Sequence, residues 1–268
     1  IDLCEQALRY IKGFEATTSM EIFTFTFKKL MRYVHLKKYD LAENDLKTCF
    51  ELVPEGSINW FLASQVYILL LFHSNRLQEA FDFFNQVKII LKKRKAKSDV
   101  GQDFWNLIEA YVNYFIRVGK IKLPQGKRRP RFDYENFMKK GKSSAYAKDK
   151  RGMNVTILVL QILFLLNEKK DNLVIDRMEP LVSYTSKYLR RNANFRSNCF
   201  IKMIAKISEA NFNRIALERK TKDLYKKLQS KPLEISEQPI EMEIVPFEML
   251  WEMVLDALDA KRFGTRKR

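Results

Sequence analysis

The sequence predicts an all-α fold in which antiparallel helix pairs stack side by side as an α-solenoid. The first observation is a repeated spacing: apolar residues follow both Ala42 and Ala80 at steps of four and seven, and these two alanines are 38 residues apart. Stacked helix–turn–helix repeats need such small residues where helices cross. The second observation is composition. Only 8 Gly and 7 Pro occur in 268 residues, whereas the 46% of hydrophobic residues is enough for a large core.

The repeated positions lie on two successive helix pairs. The first copy consists of Tyr33, Ala42, Leu46, Cys49 and Pro54, and the second of Ala80, Phe84 and Val87. In each copy a bulky residue follows the alanine by one turn, and a medium-sized residue follows by two. We expect Ala42 and Ala80 to lie at close helix crossings.

The N-terminal helices are predicted from their ends. A first helix covers residues 1–12. Thr18 and Glu21 have the spacing of a capping box, which begins a helix that continues to about His35. Asp40 and Glu43 have the same spacing and are predicted to begin its partner, which Pro54 and Gly56 end.

The next three helices follow the same logic. Ser57 is predicted to cap a strongly apolar helix, and Asn75 to cap the helix that carries Ala80. A further helix covers about residues 100–118 and ends at Gly119. The N-terminal helical repeats are therefore expected to occupy residues 1–118.

A basic, irregular insert is predicted over residues 119–152, with a short helix at Tyr134–Lys139. The C-terminal helical repeats of residues 153–268 continue the same solenoid, with Trp251 buried in a capping helix at its end. Their predicted elements are helices at about 153–167, 171–190, 194–208 and 211–229, an extended arm at 232–246, and the capping helix at about 247–260.

The alanine-centred positions resemble the second helix of the tetratricopeptide-like repeat superfamily over about residues 20–92. First-helix positions depart from its consensus, at Thr26, Lys29 and Leu30, and Lys92 replaces the consensus Pro of the second copy. The C-terminal half resembles a family of uncharacterised bacterial repeat proteins. The segments that carry this second resemblance are Asp149–Asn154, Ser183–Leu189 and Pro246–Trp251. The resemblances imply a helical-repeat fold and no enzymatic activity.

Charge is unevenly distributed along this chain, whose net charge is +17. Residues 117–151 contain 13 basic and 3 acidic residues, whereas residues 232–260 contain 8 acidic residues and no basic one. Three interpretations of the basic insert remain open: a solvated loop, a contact with nucleic-acid phosphates, and a contact with an acidic surface such as the C-terminal arm. The candidate binding residues are Lys127, Arg128, Arg129, Arg131, Lys139 and Lys140.

Aromatic residues in the insert admit two roles. Phe132, Tyr134, Phe137 and Tyr146 have the chemistry to stack on bases, but aromatic residues in a basic loop more often pin it to the core.

The sequence contains no motif that indicates an enzyme or a cofactor site. It contains no Gly-rich phosphate loop, GxSxG, HExxH or CxxC, so we expect no enzyme, no cofactor and no metal site. The three cysteines are far apart and are expected to be free thiols in a reducing cytoplasm. The longest apolar run, Val155–Leu166, is too short for a membrane span. The chain begins at Ile1 rather than Met, so we expect a piece of a longer protein.

The sequence favours a non-enzymatic, cytoplasmic scaffold that binds a protein or peptide partner in a concave groove lined by the first helix of each pair. One alternative is a nucleic-acid-binding helical-repeat protein that uses the basic insert. Another is a regulatory or dimerisation module of a larger chain. The sequence does not indicate the oligomeric state.

Overall fold

The computed structural model describes residues 1–13, 18–93, 101–126, 130, 132–139, 151–188, 195–233 and 243–264. These residues form twelve α-helices and no β-strand, which confirms the all-α class. The helices are α1 Asp2–Lys12, α2 Ser19–His35, α3 Tyr39–Leu52, α4 Ile58–His73, α5 Leu77–Lys93, α6 Gln102–Arg117, α7 Tyr134–Lys139, α8 Arg151–Asn167, α9 Asp171–Tyr188, α10 Phe195–Glu209, α11 Arg214–Gln229 and α12 Phe247–Gly264.

The helices form two compact units, each with its own core. The N-terminal unit is Ile1–Ile108, and the C-terminal unit contains the described residues from Glu109 onward. In the N-terminal unit, α2 packs against α1, α3 and α4, and α4 also packs against α3 and α5. In the C-terminal unit, α8 to α11 pack in chain order and α12 packs against α8, α10 and α11. Helices adjacent in sequence are therefore packed as pairs in both units.

The same turn ends α2, α4, α6 and α8. Its central residue has a positive φ and is Lys37, Asn75, Gly119 or Lys169. In each case that residue donates its N–H to the carbonyl three residues back, and the next residue donates to the carbonyl five residues back. This is the Schellman motif, which satisfies the last carbonyls of a helix and reverses the chain. Lys37 and Asn75 are 38 residues apart, the same interval that separates Ala42 from Ala80.

The predicted helix starts are right at two positions. Thr18 and Glu21 form the capping box: Thr18 Oγ1 accepts from Glu21 N, and the Glu21 carboxylate accepts from Thr18 N at 2.9 Å. Ser57 caps α4 by accepting from Trp60 N at 3.2 Å.

Asp40 and Asn75 do not cap α3 and α5 as predicted, and α11 begins three residues after its approximate predicted start. Asp40 lies inside α3, which begins at Tyr39 after Lys38 without a side-chain cap. Asn75 occupies the positive-φ position of the turn before α5, so α5 begins only at Leu77. The helix predicted from residue 211 begins at Arg214, because residues 211 and 212 have positive φ and Asn213 provides the cap.

Gly101 is required immediately before α6. Its φ is +76°, a conformation that side-chain-bearing residues rarely adopt. A Cβ atom at this position would lie 2.3 Å from Gln65 Nε2 of α4. The amide group of Gln65 therefore occupies the space that a side chain at position 101 would fill.

Candidate interaction surfaces

The predicted basic site lies mostly outside the described residues. Lys127, Arg128, Arg129, Arg131 and Lys140 are not among them, and their role stays a prediction. Lys139 is described: it ends α7 and is exposed.

The described aromatic residues of the insert pack around one core ring. The ring centroids of Phe132, Tyr134 and Phe137 lie 6.1, 5.4 and 6.0 Å from that of Phe164 in α8. Phe137 is buried. These three rings pin the insert to the core of the C-terminal unit instead of pointing outward to stack on bases. Tyr146 lies outside the described residues.

Two hydrogen bonds hold α7 in place. Gln161 Nε2 on the buried helix α8 donates to the carbonyl of Phe137 at 2.8 Å, and Arg177 Nη2 on α9 donates to the carbonyl of Met138 at 2.7 Å. The last turn of α7 thus gains donors for carbonyls that have no partner within so short a helix.

An ionic cluster joins the end of α6, just before the insert, to the turn between α8 and α9. Arg117 Nη2 and Lys170 Nζ each lie 2.8 Å from a carboxylate oxygen of Glu168. The Arg117 guanidinium also lies over the rings of Tyr134 and Phe164, at 5.6 and 5.9 Å from their centroids. Burial raises the pKa of Glu168, but Lys170, the nearby Tyr134 hydroxyl and Arg117 together lower it further, below its ordinary value of 4.5.

The second ionic cluster surrounds Arg196, which is fully buried. Its Nε and Nη2 donate to the two oxygens of Glu243, both at 2.9 Å, and Nη2 also donates to Glu248 at 2.7 Å. Its Nη1 donates to the carbonyls of Leu228 at 2.7 Å and Lys231 at 3.1 Å. A guanidinium has five N–H donors, and this arrangement uses all of them.

The Arg196 cluster ties three elements of the C-terminal unit together. Arg196 lies on α10, one carbonyl belongs to the end of α11 and the other to Lys231, two residues beyond it, and Glu248 lies on α12. Glu243 also accepts from Phe247 N at the start of α12. Burial lowers the pKa of Arg196, but its hydrogen bonds and charge pairing with Glu243 and Glu248 raise it further. Because every donor is occupied, we assign the cluster a structural role.

The first helices of two pairs have almost no exposed surface. Between Trp60 and His73 of α4, every side chain is buried or half-buried, and every residue of Ile157–Leu166 in α8 is buried. Over those ranges, neither α4 nor α8 has an exposed side chain. The partners of these two helices, α5 and α9, instead carry the exposed faces of their pairs.

The exposed faces of α9 and α11 differ in chemistry. On α9, three large apolar side chains are exposed, Leu173 by 47%, Ile175 by 38% and Val182 by 43%. On α11 the exposed side chains are mostly basic, namely Arg219, Lys220, Lys222, Lys226 and Lys227, beside Glu218, Asp223, Gln229 and the apolar Ile215, which is 61% exposed.

The predicted repeat positions occupy the core, with one exception. The buried positions are Tyr33, Ala42, Leu46, Cys49, Ala80, Phe84 and Val87. Pro54 is exposed, just beyond the end of α3. Trp251 is buried as predicted, with 2% of its surface exposed. The close crossings at Ala42 and Ala80 stay a prediction.

The described thiols and imidazoles do not assemble into a reactive centre. All three cysteines are free. Burial raises the pKa of Cys49 to about 12, which keeps the thiol protonated and poorly nucleophilic. Within the described ranges, no three His, Cys, Asp or Glu side chains are grouped to hold a metal ion.

Sequence reasoning missed the Arg196 cluster and the basic face of α11. Glu243 and Glu248 are 47 and 52 residues from Arg196, so no local spacing indicates the contact. The basic face did have a signal, since lysines and arginines recur there at helical intervals opposite Leu217 and Leu228.

A search of the described helices finds none that is long and apolar enough to cross a membrane. Comparison of the chain with protein-family models, curated proteins and solved structures finds no match.

Proposed function

We propose that this chain is a non-enzymatic helical-repeat scaffold, stacked as a tetratricopeptide-like solenoid, that binds a protein or peptide partner. The observation that carries the proposal is a pair of exposed apolar side chains on α9, Ile175 and Val182, which we call the apolar stripe of α9. Ile175, Glu179 and Val182 follow one another at i, i+4 and i+7, so they lie along one line of the helix. A contiguous exposed apolar patch rimmed by polar residues is typical of a protein interaction site.

We place the partner on a different surface from the groove expected from the sequence, which stays a prediction. Because α4 and α8 are enclosed, the outward faces of the second helices form the proposed binding surface. The recurring Schellman turns support the repeat architecture, since they join successive helices in the same way at Lys37 and Asn75.

The test compares proteins retained by the tagged chain from an extract of its source cells. The double variant I175E/V182E places charges on the α9 stripe, and I58E/I89E makes the same change at exposed positions of the N-terminal unit. We expect one protein to be retained by the wild type and by I58E/I89E, to be lost with I175E/V182E, and to persist in moderate salt. Identical retention by all three proteins would contradict the proposal.

A second candidate function is nucleic-acid binding. The described aromatic residues of the insert do not support a role in base stacking, because their rings pack on Phe164. The basic face of α11 is the specific observation that favours this function.

A further inference from the structure

We propose that the outward face of α11 binds the phosphate backbone of double-stranded nucleic acid. The face consists of Arg219, Lys222, Lys226 and Lys227, all of them exposed. It lies on a different helix from the apolar stripe of α9, so the proposal does not depend on the protein-binding function.

The cations are regularly placed along the helix. Arg219, Lys222 and Lys226 lie at i, i+3 and i+7, which sets successive Cα atoms about 4.5 and 6 Å apart along the axis. A duplex strand presents a regular row of phosphate charges. A helix with cations at these steps contacts several phosphates in a row.

The helix that carries this face is fixed on its other side. Leu217, Thr221 and Leu228 form its buried stripe, and Asn213 caps its first turn by accepting from Ala216 N at 3.1 Å. Arg196 holds the carbonyl of Leu228 at the other end. The cations are therefore presented by a helix that is held in place at both ends and along its buried side.

Neighbouring carboxylates leave these cations available. Glu218 pairs with Arg214 at 3.1 Å, and Glu209 pairs with Lys206 at 2.8 Å. Among the described residues, none of the four cations of the face forms an ion pair. Asp223 is the one exposed acidic side chain that lies among them on α11.

The composition of the face favours a duplex over a single strand or a protein. One isolated apolar side chain, Ile215, is 61% exposed one turn before Arg219, whereas within residues 218–231, all of them described, no large apolar side chain is exposed. Protein interfaces depend on aromatic or apolar anchors, and single strands depend on aromatic stacking. The aromatic residue of α11, Tyr225, is half-buried near Glu252 and Glu248. Phosphate contacts need only Lys and Arg, and the net charge of +17 attracts a polyanion at long range.

The test measures fluorescence anisotropy of labelled DNA and RNA duplexes of about 20 base pairs, and of the corresponding single strands, across a salt series. The variant R219Q/K222Q/K226Q removes three cations of the face, and glutamine preserves helix propensity. The control K28Q/R32Q/K47Q removes three exposed cations from α2 and α3. Circular dichroism checks that each variant keeps its helix content.

We expect the wild type to bind duplexes more tightly than single strands, without sequence preference. The α11 variant should lower the slope of log K against log salt by about 2–3, which makes the affinity loss between about 50 and 200 mM salt about 40-fold smaller. The control variant should keep the wild-type slope, and D223N should tighten binding.

Four results would overturn the proposal. They are the absence of duplex binding at low salt, an unchanged slope in the α11 variant, equal slope changes in the α11 and control variants, and displacement of the duplex by polyglutamate at an equal concentration of charges. The third result would assign binding to net charge alone, and the fourth to an acidic protein segment. The relative affinities for DNA and RNA identify which duplex is preferred.

Discussion

A buried guanidinium determines the local energetics around Arg196. It is removed from water, and its cost of desolvation is offset only because two carboxylates and two carbonyls accept from it. Glu243 is equally buried and depends on the same contact. Removing one partner would leave the other as an uncompensated buried charge.

We expect R196M to lower the free energy of unfolding by about 3–5 kcal/mol, because it strands the Glu243 carboxylate. The double variant R196M/E243M removes both charges and should recover part of that loss. Urea denaturation of the wild type, R196M and R196M/E243M provides the measurement. Equal midpoints for R196M and the wild type would show that the cluster does not stabilise the fold.

Glu168 should make stability depend on acidity. Its folded pKa lies below 4.5, so the unfolded chain binds its proton more tightly. The stabilisation is therefore complete above pH 4.5 and is lost as the pH falls through the folded pKa. E168Q should destabilise the protein at pH 7, and its difference from the wild type should shrink on acidification.

Urea denaturation at a series of pH values checks the role of Glu168. E179Q is the matched control, because Glu179 is exposed on α9 and forms no ion pair among the described residues. A pH-independent difference between E168Q and the wild type would contradict the linkage.

Individual elements show how far the sequence predicts this fold. Helix existence follows from apolar periodicity, and the starts at Thr18 and Ser57 follow from side chains that cap their own helix. Asp40 and Asn75 have the same chemistry but do not cap, because the preceding turns determine where the next helix resumes. The Arg196 cluster was beyond local prediction, since its partners meet it only in the folded chain.

Ala42 and Ala80 provide a test of the helix pairs. Both are fully buried, one on α3 and one on α5. Replacing either with Leu adds volume to a packed core and should lower stability by about 1–3 kcal/mol. N44L adds a large apolar side chain at an exposed position of α3 and should change stability much less. Unchanged melting temperatures for A42L and A80L would contradict the predicted close crossings.

Trp251 tests the predicted role of the last helix. It is buried on α12, a helix that packs against α8, α10 and α11. Truncation to Ala should cost about 3–5 kcal/mol, because it leaves a large cavity. Q229A, at an exposed position at the end of α11 in the same unit, is the control. A small effect of W251A, measured by urea denaturation, would show that α12 contributes little to the stability of the C-terminal unit.

At the scale of the whole molecule, the dominant property is the net charge of +17. A large net charge repels itself and disfavours the compact state, although it also favours solubility. Salt screens exposed charges over about 10 Å at 0.1 M, whereas buried pairs such as Arg196–Glu243 are screened much less. Moderate salt should therefore remove more repulsion than attraction.

We expect the melting temperature to rise when NaCl is increased from about 0.01 to 0.2 M at pH 7, as Debye screening weakens the repulsion among lysines and arginines. R219Q/K222Q/K226Q carries three fewer positive charges, so it should melt higher than the wild type at low salt and gain less from added salt. The control K28Q/R32Q/K47Q should behave like it, since repulsion over the whole molecule depends on total charge. Both triple variants should therefore change the melting temperature in the same way, whereas only the α11 variant should differ from the wild type in duplex binding. A melting temperature that falls with salt would show that exposed ion pairs outweigh the repulsion.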